Sequence, residues 1–314
     1  MNTKAVVMTS PGELAVQEVN LRDCPSEHVI VDIHYSGIST GTEKLFWNGK
    51  MPPFPGMGYP LIPGYESVGE VVSAGKSTGF KPGDFVFVPG ADCFSEPVRS
   101  LFGGAAKRVS SPAKRLIKID RAMGVNGALF ALAATARHAI AGFGNKMPEV
   151  IVGHGVLGRL LARFVVLAGE KPPVVWETNP LRHGGAAGYQ VVLPDYDERS
   201  DYDCIFDASG DSGILDKLIG RVCRGGEIVL AGFYPERLSF GFPQAFIKEV
   251  SMRVSAEFLP EDVATTKLLI EDGSLSFDGL VSDVLPVKKA ADAYDIAFNK
   301  SECLKMVLDW RNAA

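Results

Sequence analysis

The chain has 314 residues and a formal net charge of −5, so it offers no positive field that would favour nucleic acid or an anionic membrane surface. Hydrophobic residues make up 46% and charged residues 22%, which is the ordinary composition of a globular protein. Apolar runs stay far below the roughly 18 residues of a membrane span, and no signal-peptide core follows the first residues. The five scattered cysteines include no Cys-x-x-Cys pair, so we expect a cytoplasmic protein with reduced thiols.

Short strands at close spacing fill the first third of the chain. Residues 4–8 and 14–19 flank a Ser-Pro-Gly turn and predict a β-hairpin, and residues 28–35 predict the next strand. Within residues 61–74 we expect a pair of strands around Gly69. Three further strands are predicted at 85–89, 105–110 and 115–119. Many short strands separated by turns are typical of a small β-barrel.

The pattern changes at residues 122–142, where dense alanine and apolar residues at helical spacing predict a helix that joins two domains. Beyond it strands alternate with helices, which predicts a parallel sheet with crossovers. Strands are expected at 150–153, 174–177, 190–193, 204–208, 227–231 and 252–258, and helices at 159–168, 212–223, 261–271 and 290–299. A last strand at 305–310 is expected to return to the first domain.

A Gly-x-Gly-x-x-Gly turn follows the apolar strand at residues 150–152, and a helical pattern begins at once. This order is what a dinucleotide needs. Gly153 would make the tight turn, Gly155 would let the backbone approach a pyrophosphate, and Gly158 would let the helix pack against the strand. The helix N-terminus would then face the phosphates. The predicted phosphate-binding turn is completed by Val156 and Leu157.

Charge beyond the turn indicates which dinucleotide binds. Glu177 ends the next apolar strand 19 residues after Gly158, close to the spacing of about 20 expected for a ribose-binding acid. Its carboxylate would accept hydrogen bonds from the ribose hydroxyls and repel a 2′-phosphate, so NAD is favoured. Arg182 is the counter-argument, because it can hold that phosphate, stack on adenine or be solvated. Thr178, next to Glu177, is also expected to contact the cofactor.

Two motifs carry a family resemblance. Residues 64–71 read Gly-Tyr-Glu-Ser-Val-Gly-Glu-Val against the pattern Gly-His-Glu-x-x-Gly-x-Val, and residues 83–86 read Gly-Asp-Phe-Val against Gly-Asp-Arg-Val. With the barrel first and the dinucleotide fold second, the chain resembles the medium-chain dehydrogenase/reductase family along essentially its whole length. The resemblance implies an α/β protein with a GroES-like β-barrel catalytic domain at 1–124, a doubly wound Rossmann parallel sheet for NAD at 125–262, and a C-terminal segment at 263–314 that returns to the catalytic domain.

Longer blocks narrow this resemblance to members of the family that act on a bacteriochlorophyllide. The resemblance implies that the 1-hydroxyethyl group of this tetrapyrrole is oxidised to an acetyl group, with NAD as the hydride acceptor. The blocks are residues 36–43, 52–60, 134–138 and 176–180.

The same resemblance places further cofactor contacts. Thr135 begins the helical segment that faces the nicotinamide in relatives, and Ser209 lies where the adenosine half usually passes. Phe233 is expected near the nicotinamide. Relatives also pair the last strand of each Rossmann sheet, so residues 252–258 predict a homodimer.

The zinc enzymes of the family hold the metal with a Cys, the His of Gly-His-Glu and a further Cys or Asp. Here the Cys position falls on Ser39 or Thr40, and the His position falls on Tyr65. Hydroxyl groups are poor zinc ligands, and the remaining carboxylate of Glu66 does not make a site by itself. The four-cysteine lobe of structural zinc is also missing, with Cys93 alone in the equivalent region. We therefore expect no metal.

Alcohol oxidation without a metal needs a base that accepts the hydroxyl proton and a group that stabilises the developing carbonyl. We expect Tyr65 or Thr42 to hydrogen-bond the substrate hydroxyl, and Glu66 or Glu43 to orient it or to take the proton. The structural alternative is that Glu66 only stabilises the barrel, by pairing with a buried Arg or with backbone amides.

The substrate pocket is expected to include Ser39, Tyr59 and Trp47. The loop at residues 46–54 is aromatic, contains methionine and is stiffened by proline, so it could cover a flat apolar ring. The alternative is a surface loop that packs on its own barrel.

Two other functions fit parts of the sequence. A quinone or enoyl reductase of the same family also lacks zinc and usually prefers NADPH, and Glu177 speaks against it. A dinucleotide-binding protein without turnover would keep the same glycine turn, because a fold can persist without its chemistry. Comparison of NAD with NADP tests the first alternative, and binding of NADH without a substrate-dependent absorbance change would favour the second.

Overall fold

The computed structural model describes residues 1–53, 55–100, 102–141 and 146–313. The chain divides into two compact units, one formed by Met1–Ala131 with Phe277–Ala314 and the other by Leu132–Ser276. Residues 263–276, which the sequence assigned to the C-terminal segment, belong to the second unit. None of the described helices has both the length and the apolar character needed to cross a membrane.

Short strands dominate the beginning of the chain, and strands alternate with helices after its middle. The first part forms β1 (Asn2–Ser10), β2 (Glu13–Asn20), β3 (His28–Gly37), α1 (Thr42–Trp47), β4 (Ser67–Ala74), β5 (Phe85–Val88), β6 (Arg108–Pro112) and β7 (Ile117–Lys118). The middle part forms α2 (Phe130–Ala141), β8 (Val150–Val152), α3 (Val156–Leu167), β9 (Val174–Trp176), β10 (Gln190–Val192), β11 (Tyr202–Asp207), α4 (Leu215–Arg221), β12 (Val222–Leu230), α5 (Phe242–Lys248), β13 (Ser251–Val254) and α6 (Pro260–Glu271). The chain continues with β14 (Asp283–Pro286), α7 (Ala290–Asn299) and β15 (Met306–Asp309).

The first unit contains the antiparallel hairpin of β1 and β2, as predicted, and a larger sheet. The order in the larger sheet is β14-β15-β3-β4-β5-β7, and β6 also pairs with β3. Alternate residues of β3, namely Val29, Val31 and Ile33, are completely buried, as expected for a strand with one face on the core.

The strand pair predicted around Gly69 is wrong, because β4 runs through this position without turning. Gly69 lies opposite Ile33 of β3, and a Cβ atom there would overlap the carbonyl oxygen of Asp32. The glycine therefore permits a close approach of two backbones and makes no turn.

The helix predicted over residues 122–142 is only partly correct. An irregular 3₁₀ segment occupies Arg121–Leu129, where Gly124 takes a φ of 49° that no helix continues. The α-helix α2 begins at Phe130, and Gly142 lies outside the described residues. Phe54, in the aromatic loop, lies outside them as well.

The last part of the chain, Phe277–Ala314, belongs to the first unit. Strand β15 pairs antiparallel with β3, with Leu308 opposite Ser36. The buried Trp310 indole donates a hydrogen bond to the Ser36 hydroxyl at 2.8 Å. This pairing joins the last residues of the chain to the strand that leads into α1.

The second unit contains a parallel six-stranded sheet in the order β10-β9-β8-β11-β12-β13. Strand order reverses between β8 and β11, and in such sheets ligands bind at the carboxyl ends beside this switch point. Helix α4 ends at Arg221, two residues earlier than the sequence predicted, because β12 begins at Val222. The predicted α/β architecture with a doubly wound sheet is confirmed.

Candidate functional site

Three hydroxyl groups meet where β3 leads into α1. The Ser39 hydroxyl lies 2.6 Å from the Tyr65 hydroxyl, and either oxygen can donate that hydrogen bond. The Tyr65 hydroxyl donates its single proton to Thr42 Oγ1 at 3.1 Å, and with the proton in this position Ser39 is the donor of the shorter bond. Ser39 is buried, whereas Thr42 and Tyr65 are partly exposed. We call these three residues the hydroxyl triad.

The phenol of Tyr65 stays protonated at neutral pH. Burial and the neighbouring Glu66 carboxylate both raise its pKa above the ordinary value, and the bonds from Ser39 and Thr42 oppose this only in part. Tyr65 can therefore donate a hydrogen bond to a ligand oxygen, but it does not ionise by itself.

Glu43 follows Thr42 on α1 and is completely buried. Its Oε1 accepts a hydrogen bond from the Ser39 amide at 3.1 Å, and its Oε2 accepts one from the Tyr294 hydroxyl at 2.7 Å. Burial raises the pKa of Glu43 to about 7; the two hydrogen bonds and Lys305 lower it, and Glu66 raises it further. Glu43 is thus a carboxyl group that can exchange a proton near neutral pH.

Glu66 is also completely buried, and its Oε2 is paired with the ammonium of the buried Lys305. Glu66 Oε1 has no hydrogen-bond partner among the described residues. Gly37 makes room for the pair, because a Cβ there would lie 2.6 Å from Glu66 Oε2. In the structural alternative given above, Glu66 pairs with a buried Arg or with backbone amides. The cation is instead a lysine from the last residues of the chain.

Trp47 and Tyr59 are half-buried in the first unit. The Trp47 ring lies 6.1 Å from the Phe298 ring of α7. The Tyr59 hydroxyl donates to the carbonyl oxygen of Phe46. Neither side chain is hydrogen-bonded to the triad in the described residues, so their assignment to the substrate stays a prediction.

The glycine turn between β8 and α3 has the geometry that its sequence requires. Gly153 takes a φ of 93°, and helix α3 begins directly after Gly155. A Cβ at Gly158 would overlap the carbonyl oxygen of Gly153, so only glycine fits there without opening the turn. The first helical residues, Val156 and Leu157, present a helix N-terminus of the kind that binds phosphate.

Glu177 is buried at the end of β9 and points back to this turn. Its Oε2 accepts a hydrogen bond from the His154 amide at 3.0 Å, and its Oε1 accepts one from the Asn179 amide at 2.8 Å. A carboxylate has about four acceptor positions, so two remain for ligand hydroxyls. Thr178 beside it is exposed.

The ring of His154 has a larger structural role than the sequence indicated. Its Nδ1 lies 2.6 Å from the Arg182 carbonyl oxygen, and its Nε2 lies 2.8 Å from the Tyr189 hydroxyl. Burial lowers the pKa of His154 to about 4, so the ring is neutral at physiological pH. Arg159 donates to the carbonyl oxygens of His154 and Arg182, both at 3.1 Å. The segment that carries Arg182 is therefore bound to the glycine turn.

A second acid stands at the carboxyl end of β11. Asp207 is buried, accepts a hydrogen bond from the Ser209 amide at 2.9 Å, and accepts another from the Tyr234 hydroxyl at 2.6 Å. Burial raises the pKa of Asp207. The backbone of Ser209 approaches Gly153 so closely that a Cβ on this glycine would lie 3.1 Å from the Ser209 Cα. Ser209 thus borders the glycine turn, and its contact with the adenosine half of the cofactor stays a prediction.

Phe233 and Thr135 have fewer described contacts. Phe233 follows β12 and is 51% exposed, which is unusual for a phenylalanine and leaves its ring available to a ligand. Thr135 is half-buried on α2. Both remain predicted cofactor contacts.

Comparison with known proteins agrees with this geometry. Residues 25–121 match the alcohol dehydrogenase GroES-like domain. Over 313 residues the chain is 56% identical to 2-desacetyl-2-hydroxyethyl bacteriochlorophyllide A dehydrogenase of Rhodobacter capsulatus, with both chains covered completely. The chain belongs to the medium-chain dehydrogenase/reductase family.

Solved structures of distant relatives share the fold of this medium-chain dehydrogenase. An alcohol dehydrogenase from Escherichia coli CFT073 in complex with NADH has a TM-score of 0.82 at 18% identity, covering 98% of this chain and 99% of its own. A protein from Sinorhizobium meliloti 1021, described as a zinc-binding dehydrogenase and bound to NADP, has a TM-score of 0.82 at 20% identity, covering 98% of this chain and 99% of its own. Family membership supports an oxidoreductase that acts on CH–OH groups with a nicotinamide cofactor.

The residues of this medium-chain dehydrogenase do not fit a catalytic zinc ion. The hydroxyls of Ser39 and Tyr65 bond each other, and the carboxylate of Glu66 is already paired with Lys305. Within the described ranges, no three His, Cys, Asp or Glu residues are grouped so that they could hold a metal ion. A zinc site would require Cys or His donors at these positions.

Proposed function

We propose that this protein oxidises the 1-hydroxyethyl group of a bacteriochlorophyllide to an acetyl group, with NAD as cofactor and without zinc. The observation that supports it best is the hydroxyl triad, which presents hydrogen-bonding groups suited to an alcohol and includes Ser39 and Tyr65, two residues that the family resemblance aligns with zinc-ligand positions, the first of them shared with Thr40. The substrate class comes from the 56% identical relative, whose name states that it acts on a hydroxyethyl bacteriochlorophyllide.

The triad would bind and orient the alcohol oxygen. Tyr65, whose raised pKa keeps it protonated, would turn its single hydroxyl proton from Thr42 to the alcohol oxygen and stabilise the charge that develops there. Thr42 and Ser39 fix the phenol from two sides, which limits the geometries that Tyr65 can take. A bound nicotinamide cofactor would supply the acceptor for the hydride that leaves the alcohol carbon.

Of the two carboxylates considered from the sequence, Glu43 is the better proton acceptor. Glu66 is already paired with an ammonium group, whereas Glu43 has a pKa of about 7 and follows Thr42 directly on α1. A base with a pKa near the working pH combines a useful deprotonated fraction with a strong pull on the proton. The proton released by the alcohol would therefore be taken up by Glu43 before it passes to solvent; a bridging water molecule would carry it, because the described hydrogen bonds of this carboxyl go to the Ser39 amide and to the Tyr294 hydroxyl.

The preference for NAD over NADP would come from Glu177. Its buried carboxylate is bonded to the amide of His154 in the glycine turn and to the amide of Asn179, and there it would meet the ribose hydroxyls and repel a 2′-phosphate. Glu177→Gln keeps the shape and removes the charge. We expect this variant to lose at least about tenfold in preference for NAD over NADP, measured with both cofactors at equal concentration. A wild-type preference for NADP would contradict the proposal and favour the quinone or enoyl reductase.

The direct test of the site is Tyr65→Phe. Loss of the hydroxyl removes both triad bonds, and we expect kcat to fall about 100-fold while NADH binding is unchanged. Tyr35→Phe on β3 is the matched control and should keep full turnover. Wild-type turnover in Tyr65→Phe would remove this residue from the mechanism. Stoichiometric zinc in the active enzyme would refute the metal-free part.

We also propose a homodimer. Strand β13 lies at the edge of the second sheet and offers unpaired backbone groups to a second copy. Large apolar side chains are exposed beside it, with Phe246 at 68%, Ile247 at 71% and Val254 at 75%. Light scattering should give twice the chain mass of 33.7 kDa, and a monomer mass at working concentration would end this proposal.

A further inference from the structure

Four polar side chains form a buried cluster behind the hydroxyl triad. Glu43 and Glu66 are 0% exposed, Tyr294 is 1% exposed and Lys305 is 3% exposed. They come from α1, from the segment before β4, from α7 and from the residue before β15. Tyr294 bonds Glu43, and Lys305 pairs with Glu66. We call these four residues the carboxyl cluster.

The charges of the carboxyl cluster do not balance if both carboxyl groups are ionised. Lys305 supplies a single positive charge, and its ammonium is bound to Glu66. Tyr294 donates a hydrogen bond to Glu43 but brings no charge. Burial of a carboxylate without a cation costs free energy. At lower pH the stable state of the cluster is therefore the neutral one, in which one of the two carboxyl groups carries a proton.

On the basis of the proposed function, we propose that Lys305 is a positioning residue whose pairing with Glu66 leaves the single exchangeable proton of the carboxyl cluster on Glu43. Lys305 does not touch the substrate in this account. It acts by holding one carboxyl group as its ion-pair partner, so that the other carboxyl group, next to Thr42, performs the proton exchange.

The reaction balances with one proton for each alcohol. The C–H electron pair leaves with the hydrogen to the nicotinamide, and the electrons of the O–H bond become the second bond of the carbonyl group. The proton goes to the Glu43 carboxylate, so the carboxyl cluster becomes neutral while the substrate becomes a ketone. Loss of that proton to solvent restores the starting state.

Groups on several elements act on the Glu43 carboxyl. The Ser39 amide and the Tyr294 hydroxyl donate hydrogen bonds, Lys305 adds positive charge, and all three lower its pKa. Glu66 opposes them by its negative charge, and Tyr65 contributes a neutral phenol nearby. Removing the Glu66 charge while Lys305 remains must therefore lower the pKa of Glu43. Removing the charges of both Glu66 and Lys305 removes one effect that raises the pKa of Glu43 and one that lowers it, so the two changes offset each other.

The test compares Glu66→Gln with the double variant Glu66→Gln/Lys305→Met. We expect the rise of kcat with pH to move to lower pH by about one unit in the single variant, and to return to within about half a unit of wild type in the double variant. Glu70→Gln on β4 is the matched control, since it breaks an exposed ion pair with Arg121 and should not move the profile.

Infrared titration without substrate provides a readout that does not depend on turnover. Wild-type protein should show the carbonyl stretch of a protonated carboxylic acid that disappears as the pH passes through about 7, and Glu43→Gln should lack this band. If Glu66→Gln is too unstable to purify, Lys305→Met replaces it, and its band must then titrate at higher pH than in wild type, because the lysine charge that lowers the pKa of Glu43 is gone while Glu66 remains.

The outcomes separate this inference from the proposed function. A missing Glu43 band, or a folded Glu66→Gln variant with an unmoved titration, would overturn the role of Lys305. A titration that behaves as expected in a protein that does not oxidise the pigment alcohol would overturn the proposed function and leave the proton assignment intact. A purely structural ion pair would change stability in both variants and leave the titration where it was.

Discussion

Replacement of Glu43 by Gln tests the buried carboxyl group through stability. Folding raises the pKa of this carboxyl from its ordinary 4.5 to about 7. Between these two pH values the folded protein holds a proton that the unfolded chain has released, so stability falls as the pH rises through this window. The window spans about 2.5 pH units, and each unit corresponds to about 1.4 kcal/mol. The free energy of unfolding of the wild type should therefore fall by ~3 kcal/mol across it.

Glu43→Gln carries no titrating group and loses this dependence. Relative to wild type, the variant should therefore gain about 3 kcal/mol in unfolding free energy between pH 4.5 and pH 8. Urea unfolding of both proteins at these two pH values measures the difference, and the other titrating groups cancel in the comparison. A stability difference that is the same at both pH values would show that Glu43 does not titrate in this range, and would refute the reasoning.

Two glycine substitutions test close contacts on the two units. Gly158→Ala forces a Cβ onto the Gly153 carbonyl oxygen, so we expect NADH affinity to fall at least about tenfold by fluorescence titration; unchanged affinity would contradict the role of the turn. Gly37→Ala places a Cβ 2.6 Å from Glu66 Oε2, so the pair with Lys305 must shift. We expect a loss of about 2 kcal/mol in urea unfolding, and a neutral substitution would show that the pair is loosely held.

Local sequence patterns predicted the second unit well. The apolar strand, the glycine turn and Glu177 lie within 28 residues, and each has a requirement that a short stretch of sequence expresses, such as a positive φ at Gly153. Gly69 shows the limit of this reasoning. A glycine in a turn and a glycine under a neighbouring strand look the same in the sequence, and only the pairing of β3 with β4 separates them.

The partners of the candidate site could not be predicted, because they are distant in sequence. Lys305 is 239 residues from Glu66, and Tyr294 is 251 residues from Glu43. No local pattern links these positions, although the predicted return of the last strand brought their segment to the correct unit. The single cue was a lysine next to an apolar strand at the end of the chain, which by itself is typical of a solvated surface.

Turnover of the pigment alcohol by enzyme of known metal content tests the central claim most directly. Purified protein would be incubated with NAD and hydroxyethyl bacteriochlorophyllide while the long-wavelength pigment band and NADH are followed together, with zinc measured in the same sample. We expect the acetyl product and NADH to form in equal amounts in protein with far less than one zinc per chain. No pigment conversion, or activity that appears only with stoichiometric zinc, would contradict it.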